Sequence, residues 1–369
     1  MKILIVIDSI GTGGAQKLKA ELAMGLSIAG NNTVEVFTYN QFSDDFFKDR
    51  LIKKGIKIHV ADKSKSGFSF MVLSSLRRVI SNDFDVIISS MHTPSIYTFL
   101  ALIGKRKKKF IVCEESSSLA PISFFKRILF YFATIYADKI VPNSFHEGEL
   151  MKKLPGRSGK VYPIWNGYDS IHEPLALSLK HHKENIKELV VVGRVAYPKN
   201  GLNLLKGLSM FYKRNKWLPN VSWIGRVEND KRSILMKEMM EDYLKKNNEL
   251  SNHWNWLGFV DDVKDYYKSS DALLHLSIYE GLPNVICEAM FYGCFVIASS
   301  VCDHPRILGK DERGYLCDPN SPESICESIE KLNKTSSSEK VRIIKSAREF
   351  AEKEFNLDLM TKKYLSLIS

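Results

Sequence analysis

The chain has 369 residues, of which 44% are hydrophobic and 26% are charged, and its net charge is +11. This balance excludes a disordered or fibrous protein, and the length allows two compact domains with a core each. The positive charge favours anionic partners, but the sequence has no zinc-finger spacing and no aromatic RNA-binding signature, so we do not expect nucleic acid to be a partner.

The predicted location is the cytoplasm. The apolar run at residues 3–7 is too short for a signal-peptide core, and no apolar stretch reaches the length needed to span a membrane. The six cysteines include no C-x-x-C pair, which predicts reduced thiols and no structural zinc site.

The first half of the chain alternates predicted strands and helices. Residues 3–7 are continuously apolar, as in a parallel strand buried on both faces. A glycine-rich loop follows, and then a helix with Leu18, Leu22, Leu26 and Ala29 on one face. Further strands are predicted at residues 34–38, 56–61, 86–89, 110–113 and 139–141.

The second half repeats the alternation after a polar stretch. Residues 171–187 are predicted to be a linker between an N-terminal domain, residues 1–170, and a C-terminal domain, residues 188–345. One long helix is predicted from about residue 339 to residue 368, and we assign residues 346–369 to a C-terminal helical segment. The strands of the second domain are predicted at residues 189–192, 221–224, 254–260, 272–276 and 295–298.

Alternating strands and helices predict an α/β fold with two Rossmann-like domains. Ligands of such open sheets bind beyond the carboxyl ends of the strands. The two domains are therefore expected to face a central cleft that holds the site.

The most informative segment runs from Ser277 to Met290, after a predicted strand and into a helix. Pro283 suits the first helical turn, because its missing N–H costs nothing there. Glu280 and Glu288 flank this helix N-terminus, whose free amides attract phosphate. A carboxylate can accept two hydrogen bonds from a vicinal diol such as that of ribose or a hexose. Two glutamates eight residues apart are also common in solvated loops and helices, and it is the surrounding strand, Gly-Leu-Pro and helix that favour a site.

This segment resembles the E-x(7)-E motif of retaining glycosyltransferases with the GT-B fold, in particular glycosyltransferase family 4. The resemblance implies that Glu280 contacts the donor sugar and that Glu288 holds the nucleotide ribose. It also implies a C-terminal helix that returns to the N-terminal domain. The backbone implied to face the sugar and diphosphate is that of Gly281, Leu282, Pro283 and Asn284.

A second site is predicted after the first strand of the C-terminal domain. Arg194 and Lys199 follow Val192-Gly193 at the carboxyl end of that strand, where two cations suit a diphosphate. Such bases are also common in surface loops, but their spacing resembles the diphosphate clamp of the family. Val260 lies in a segment that resembles the loop whose backbone meets the nucleotide base.

Three loops of the N-terminal domain are further candidates. Gly13 and Gly14 follow the first strand, where family 4 proteins often have Gly-Gly-Ala facing the donor phosphate, although tight-turn packing explains such glycines equally well. His92 follows a predicted strand, and several family members have a functional histidine there; a lone loop histidine is also typical of a structural residue. Glu114 and Glu115 are either acceptor-binding residues or an ordinary loop.

One segment departs from the family pattern. Many relatives have a glutamate shortly after the strand at residues 295–298, whereas this chain has a shortened loop without it at residues 300–308. The departure bears on donor affinity, on the choice of sugar and on activity.

An aromatic segment with two bases, residues 121–136, is expected to pack mostly against the first sheet. Phe124, Phe125, Lys126 and Arg127 are also candidates, together with the basic run at residues 105–109, for a surface that contacts anionic membranes.

The resemblance implies a retaining hexosyltransferase that moves a sugar from a UDP- or GDP-sugar to a glycan or lipid-linked acceptor, in cell-surface polysaccharide or glycoconjugate biosynthesis. Arg194, Lys199, Glu280 and His92 are its predicted catalytic residues. Neither a catalytic metal nor another cofactor is expected. The alternatives are a sugar-nucleotide 2-epimerase of the same architecture and a non-catalytic partner that binds nucleotide sugar.

Overall fold

The computed structural model describes residues 1–11, 14–40, 46–61, 67–105, 108–116, 122–168 and 185–369. Packing divides the chain into two units: Met1–Ser170 together with Glu354–Ser369, and Ile171–Lys353. Each unit is built on its own parallel sheet of six described strands, which confirms the predicted two-domain α/β fold.

The first sheet has the order β3-β2-β1-β4-β5-β6, and all its neighbouring strands are parallel. Successive strands are therefore added on one side of β1 up to β3 and on its other side from β4 to β6. The switch point between β1 and β4 is the usual ligand position in this topology. The described strands are β1 (Lys2–Val6), β2 (Thr33–Thr38), β3 (Lys57–Val60), β4 (Val86–Ser90), β5 (Lys109–Glu114) and β6 (Lys139–Pro142).

Helices cover both faces of the first sheet. The helices between its strands are α1 (Gly14–Ile28), α2 (Phe46–Lys53), α3 (Phe70–Ile80), α4 (His92–Leu102), α5 (Phe124–Tyr136) and, after β6, α6 (Phe145–Lys152). Ile3 and Ile5 of β1 pack into a core with α1, whereas Leu4 and Val6 pack into a second core with α3 and α4. Burial on both faces explains why this strand is continuously apolar.

The second sheet repeats the order of the first, as β12-β11-β10-β7-β8-β9, with its switch point between β7 and β10. Its strands are β7 (Glu188–Val192), β8 (Asn220–Ile224), β9 (Trp254–Gly258), β10 (Ala272–His275), β11 (Phe295–Ser299) and β12 (Tyr315–Cys317). The sequence did not predict β12, because its three residues are too few to show a pattern. The predicted strand at residues 254–260 ends earlier, at Gly258, where φ is +67°.

The helices of the second unit follow the same alternation. They are α7 (Gly201–Asn215), α8 (Lys231–Lys245), α9 (Asn248–Asn252), α10 (Lys264–Ser269), α11 (Asn284–Phe291), α12 (His304–Leu308), α13 (Pro322–Lys334) and α14 (Ser337–Glu354). The buried residues of α7, α8, α9, α13 and α14 join the apolar side chains of β7, β8, β10 and β11 in one core.

The C-terminal segment is two helices rather than the single long helix predicted. After α14, the chain turns at Phe355 and Asn356 and continues as α15 (Leu357–Ile368). Tyr168 fixes the turn by donating its N–H to the Phe355 carbonyl at 2.8 Å and accepting from Leu357 N at 3.1 Å. Asn356 caps α15 through its side chain. These local hydrogen bonds compete with a continuous helix.

Helix α15 packs on the first unit, as the sequence predicted. Its Met360, Tyr364 and Ile368 are buried in the core that contains Ile3 and Ile5. The approach to α1 is close, since a Cβ atom at Gly25 would lie 2.4 Å from Thr361 Oγ1. The chain therefore leaves the first unit, builds the second and completes the first with its last helix.

The basic run does not join the aromatic start of α5, contrary to the prediction. Lys105 donates to Ser81 Oγ and Lys108 to the Phe84 carbonyl, both beside the amino ends of the strands. Helix α5 begins after β5, at the carboxyl edge of the same sheet. Arg106 and Lys107 lie outside the described residues.

Candidate functional site

In the second unit, two strand ends meet in a close backbone approach. Gly193 follows β7 with φ +141° and Gly225 follows β8 with φ +151°. A Cβ atom at Gly225 would lie 2.0 Å from the Gly193 carbonyl oxygen, so only glycine fits. Gly193 was predicted as a site residue and Gly225 was not, although its place directly after a strand was a usable signal.

Lys199 and Glu280 meet at the switch point between β7 and β10. Lys199 Nζ lies 2.5 Å from Glu280 Oε1, and the Ile278 N–H ties the two loops together by donating to the Pro198 carbonyl at 2.9 Å. Burial alone raises the pKa of Glu280, but the charge of Lys199 and a hydrogen bond from His275 hold it well below its usual range. The pair is therefore an ammonium and a carboxylate at neutral pH.

A buried polar scaffold supports Glu280. Ser277 Oγ donates to Glu280 Oε1 at 2.7 Å, and His275 Nε2 lies 3.3 Å from the same oxygen. Burial and the charge of Lys199 lower the pKa of His275. His304 packs edge-on against His275, and burial with that neighbour lowers its pKa to about 3. Both histidines are therefore neutral, and neither was predicted, because they carry no motif signal.

Helix α11 starts beside this cluster. Gly281 and Leu282 lead into Pro283, the residue before the first helical position, Asn284, and all three of the leading residues are buried. The Glu280 N–H donates to Cys302 Sγ at 3.3 Å, so the shortened loop after β11 fixes the backbone of Glu280 with a thiol. The result is a helix N-terminus next to a lysine, which suits a phosphate group.

Glu288 lies in the middle of α11, away from the Lys199 pair. It accepts a hydrogen bond of 3.2 Å from the hydroxyl of Tyr267, which is buried. Burial and the Glu288 charge raise the pKa of Tyr267 well above its usual range, so this phenol stays a donor. Tyr267 was not among the predicted residues.

Three other predicted residues have no described contact with this cluster. The Arg194 side chain is 71% exposed, and its guanidinium forms an ion pair with Glu228 instead. Val260 follows the end of β9 and is half-buried. Gly14 is the exposed first residue of α1 in the first unit, and Gly13 lies outside the described residues.

In the first unit, a cavity of about 360 Å³ opens at the switch point between β1 and β4. Met91, with φ +70°, introduces α4, and this strained backbone positions His92 at the cavity wall. Sequence patterns identified only the histidine in advance. The lining combines polar and apolar side chains: Asp8, Tyr39, Asn40, Met91, His92, Thr93, Pro94, Ser116, Ile122 and Lys126.

His92 is paired with a carboxyl group. Its Nε2 lies 3.1 Å from Glu114 Oε2, and Ser116 donates to the other oxygen, Oε1, through both N–H and Oγ. Burial and the charge of Lys126 lower the pKa of His92 to about 4. Burial raises the pKa of Glu114 to about 7, although the hydrogen bonds from Ser116 oppose the shift. Near neutral pH, His92 is therefore neutral and the carboxyl group of Glu114 is the group that titrates.

A buried ion pair lies behind the cavity. Lys19 Nζ of α1 lies 2.6 Å from Glu115 Oε1, and Ser90 Oγ donates to the same oxygen at 3.3 Å. The hydroxyl of Tyr364 on α15 accepts from Lys19 Nζ at 3.2 Å and lies 3.3 Å from Cys113 Sγ. The last helix of the chain thus contributes to the polar interior of the first unit.

Comparison with known proteins shows what the second unit is similar to. Residues 178–350, which include the Lys199–Glu280 pair and α11, match the sequence profile of the family glycosyl transferases group 1. Relatives named as glycosyltransferases match along the chain as well, and the protein is a glycosyltransferase. A solved structure of HepE from Anabaena in complex with UDP-glucose is similar to this chain, with a TM-score of 0.80 at 18% identity. The similarity covers 100% of this chain and 99% of the HepE chain, so the fold of this glycosyltransferase is GT-B.

Two curated relatives are similar over most of their length. The capsular polysaccharide biosynthesis glycosyltransferase CapH of Staphylococcus aureus is 25% identical over 70% of this chain and 71% of its own. A Campylobacter jejuni α-1,4-N-acetyl-D-galactosaminyltransferase, whose name specifies an undecaprenol diphosphate-linked acceptor, is 22% identical over 100% of this chain and 98% of its own.

Two further observations complete the description of the glycosyltransferase. Within the described ranges, no helix is both long and apolar enough to cross a membrane. Among the same residues, no cluster of three or more histidine, cysteine or acidic side chains is arranged to hold a metal ion.

Proposed function

We propose that this glycosyltransferase moves a sugar from a UDP-sugar, with retention of configuration, to a glycan or lipid-linked acceptor in the synthesis of a cell-surface polysaccharide. The observation that carries the proposal is the Lys199–Glu280 pair beside the N-terminus of α11. The UDP-glucose complex of HepE supports the choice of UDP over GDP, and the names of CapH and the Campylobacter enzyme support the product class.

The donor would bind to the second unit through complementary charges. The diphosphate would approach the Lys199 ammonium and the amides at Gly281 and Leu282, while Glu280 accepts hydrogen bonds from the sugar hydroxyls. Since Lys199 keeps Glu280 ionised, one pair of residues prepares both the anion-binding and the hydroxyl-binding halves of the site. Arg194 would leave Glu228 to join the diphosphate, because an exposed ion pair is weak.

The nucleoside would extend along the carboxyl ends of the same sheet. Glu288, held by Tyr267, would accept hydrogen bonds from the ribose diol, and the backbone near Val260 would contact the base. Because Gly193 has no Cβ atom, its backbone would let the pyrophosphate come close to Arg194. The backbone of Pro283 and Asn284 would complete the proposed donor contacts within the second unit.

The reaction forms a bond between the acceptor oxygen and the anomeric carbon as the bond from that carbon to the diphosphate breaks. The departing diphosphate oxygen takes the acceptor proton on the same face of the sugar, which retains the α configuration. The charge that grows on this oxygen is stabilised by Lys199, Arg194 and the amides of α11, and such prearranged electrostatics are usually the largest catalytic contribution. The proposal needs no metal and no other cofactor.

The acceptor would bind to the first unit, in the cavity that contains His92. Its polar lining offers hydrogen bonds to sugar hydroxyls, and Lys126 offers a charge to an acceptor phosphate. His92, neutral and next to Glu114, would orient the reacting hydroxyl. A lipid-linked acceptor implies that the enzyme works in the cytoplasm, in peripheral contact with the inner face of an anionic membrane.

The test is mass-spectrometric detection of free nucleoside diphosphate from a panel of UDP- and GDP-sugars, with and without a membrane lipid extract. Release of UDP from one donor, increased by the extract, is the expected result. Lys199→Ala should lower the rate of release by about 10²–10³-fold. The control Lys331→Ala, which removes an exposed ion pair of the same 2.5 Å length in the same unit, should leave the rate unchanged.

Two other outcomes would replace the proposal. A new isomeric sugar nucleotide without release of diphosphate would identify a 2-epimerase, for which the titrating carboxyl group of Glu114 beside His92 would be suited. Tight binding of UDP, measured by calorimetry, with every donor left intact in the presence of the extract would identify a non-catalytic binding partner.

A further inference from the structure

One face of α5 is apolar and open to solvent. Phe124 is 74% exposed and Phe125 77%, whereas Phe130 on the opposite face is buried against the sheet. Exposed apolar residues recur four positions apart along the helix, so they form one continuous stripe, which consists of Phe124, Ile128, Phe132 and Tyr136. A stripe of this length is more than the scattered exposure that is normal for a soluble domain.

A second exposed apolar group lies on the other side of α4. Phe70, 79% exposed, and Met71, 65% exposed, begin α3, and α3 and α5 both pack against α4. Phe68 connects this group to the cavity, because it stacks on Tyr97 at 5.0 Å and Tyr97 packs on the cavity residue Tyr39 at 5.4 Å. The starts of α3 and α5 therefore flank the cavity at the carboxyl edge of the sheet.

The charges on this face are basic. Lys126 and Arg127 are exposed between the phenylalanines of α5, and α5 contains no acidic residue. Lysine is depleted at the centre of protein–protein interfaces, whereas aromatic residues interleaved with bases are typical of helices that lie in the interface of anionic membranes. The chemistry of the face therefore favours lipid headgroups over a protein partner.

The same helix reaches the acceptor cavity. Ile122, just before α5, and Lys126, in its first turn, both line the cavity that contains His92. The basic run at residues 105–109 makes no contribution here, since the described lysines of that run lie at the opposite edge of the sheet.

From these observations we propose that α5 and the start of α3 form a membrane-binding face, which lies in the interface of an anionic bilayer. The face consists of Phe70, Met71, Phe124, Phe125, Arg127, Ile128 and Phe132. Phe124 and Phe125 insert among the lipids, Arg127 binds the headgroups, and the bilayer brings a lipid-linked acceptor to the mouth of the cavity. This inference rests on the proposed function for the identity of the acceptor, but not for the binding of lipid.

The test is co-sedimentation of the full chain with vesicles of neutral lipid and with vesicles that contain an anionic lipid, in the absence of any donor. Binding to the anionic vesicles is expected. The double variant Phe124→Ser/Phe125→Ser should reduce the partition coefficient by roughly tenfold or more, because two large apolar side chains no longer enter the interface. Arg127→Gln should weaken binding by a few-fold and reduce its sensitivity to salt.

The matched control is Leu235→Ser/Met239→Ser, which removes two exposed apolar side chains of α8 in the second unit and should leave vesicle binding unchanged. Equal sedimentation of the control and the Phe124/Phe125 variant would overturn the inference, as would equal binding to neutral and anionic vesicles. A dimer in analytical ultracentrifugation that the Phe124/Phe125 variant alone abolishes would overturn it too, by identifying a second copy of the chain as the partner.

Failure of the inference and failure of the proposed function remain distinguishable. UDP release by a wild-type protein that binds no vesicles would overturn the membrane-binding face and support the transferase. Vesicle binding that depends on Phe124 and Phe125, in a protein that turns over no donor, would support the face and count against the transferase.

Discussion

The two units each have a glutamate at the carboxyl edge of a parallel sheet, Glu114 buried and Glu280 half-buried, yet the two carboxyl groups differ in charge. Glu280 lies 2.5 Å from the Lys199 ammonium, and its pKa is held well below the usual range in spite of burial. Glu114 faces the neutral imidazole of His92 at 3.1 Å, and burial raises its pKa to about 7. Burial acts in the same direction on both, so the charge of the nearest partner decides the outcome.

This difference matches two kinds of chemistry. A permanently charged pair beside a helix N-terminus suits the binding of a diphosphate and its sugar, where charge must be stabilised rather than exchanged. A neutral histidine beside a carboxyl group whose pKa is near 7 suits the orientation of a hydroxyl, because its ring nitrogens can accept or donate a hydrogen bond without a fixed charge. The same sheet topology therefore carries two carboxyl sites with different electrostatics, which we propose to be the donor and acceptor sites.

The largest effect is expected from removing the Lys199 ammonium, whose charge makes the pKa of Glu280 differ from that of Glu114. Lys199→Ala should lower kcat by about 10²–10³-fold, because a cation aimed at the leaving group is lost. It should also make Glu280 resemble Glu114, so the residual activity should acquire a new dependence on pH as the pKa of Glu280 rises. Steady-state rates of UDP release between pH 5 and 8 measure both effects.

Lys331→Ala is the matched control for this substitution, and circular dichroism checks that each variant is folded. A Lys199→Ala enzyme with a near-normal kcat would contradict the role given to the pair. Arg194→Ala should lower kcat as well, even though Arg194 is paired with Glu228 in the absence of donor.

The second prediction concerns Glu114 and stability. The folded-state pKa of Glu114, about 7, lies above its unfolded value of about 4.3, so its ionisation destabilises the fold as the pH rises between these two values. Glu114→Gln removes this penalty. The free energy of unfolding of the variant, relative to wild type, should therefore rise by roughly 3 kcal/mol between pH 4 and pH 8.

The protonation of His92 has the opposite effect on stability. Its pKa of about 4 in the fold lies below the unfolded value of about 6.5, so the free energy of unfolding decreases as the pH falls from about 6.5 towards 4. This contribution is present in both proteins and largely cancels in the comparison. The surface variant Glu149→Gln serves as the control, and the difference between its free energy of unfolding and that of wild type should stay constant with pH. A constant difference for Glu114→Gln as well would show that Glu114 is not protonated in the fold at neutral pH.

Local patterns explain why much of this arrangement could be predicted. The continuous apolar runs identified β1 and β7, and the Glu280–Glu288 spacing identified α11, because these signals lie within a few residues of one another. The Lys199–Glu280 pair joins residues 81 positions apart, and only the order of the strands brings them together. His275 and Tyr267 carry no local signal at all, since their roles arise from packing.

The third prediction concerns the support of Glu288. Tyr267→Phe removes the hydrogen bond of 3.2 Å that orients this carboxylate, so KM for the donor should rise by roughly tenfold while kcat stays near normal. The neighbouring substitution Tyr266→Phe, on the same helix, is the control and should leave KM unchanged. An unchanged KM in Tyr267→Phe would remove Glu288 from the proposed ribose contact.

The smallest expected effect concerns the ion pair of the first unit. Tyr364→Phe removes the hydroxyl that accepts from Lys19, but the Lys19–Glu115 pair at 2.6 Å remains. The free energy of unfolding should fall by about 1 kcal/mol, with little change in kcat. Denaturant titration measures this change, and a loss of several kcal/mol would mean that α15 holds the first unit together mainly through this polar contact rather than through its apolar face.

Proton NMR of the reaction mixture tests whether the proposed transfer from a UDP-sugar proceeds with retention. The donor that releases UDP in the panel is followed together with the membrane lipid extract. UDP and an α-linked product should appear in equal amounts. A β-linked product would contradict retention, and an isomeric UDP-sugar without free UDP would contradict transfer itself.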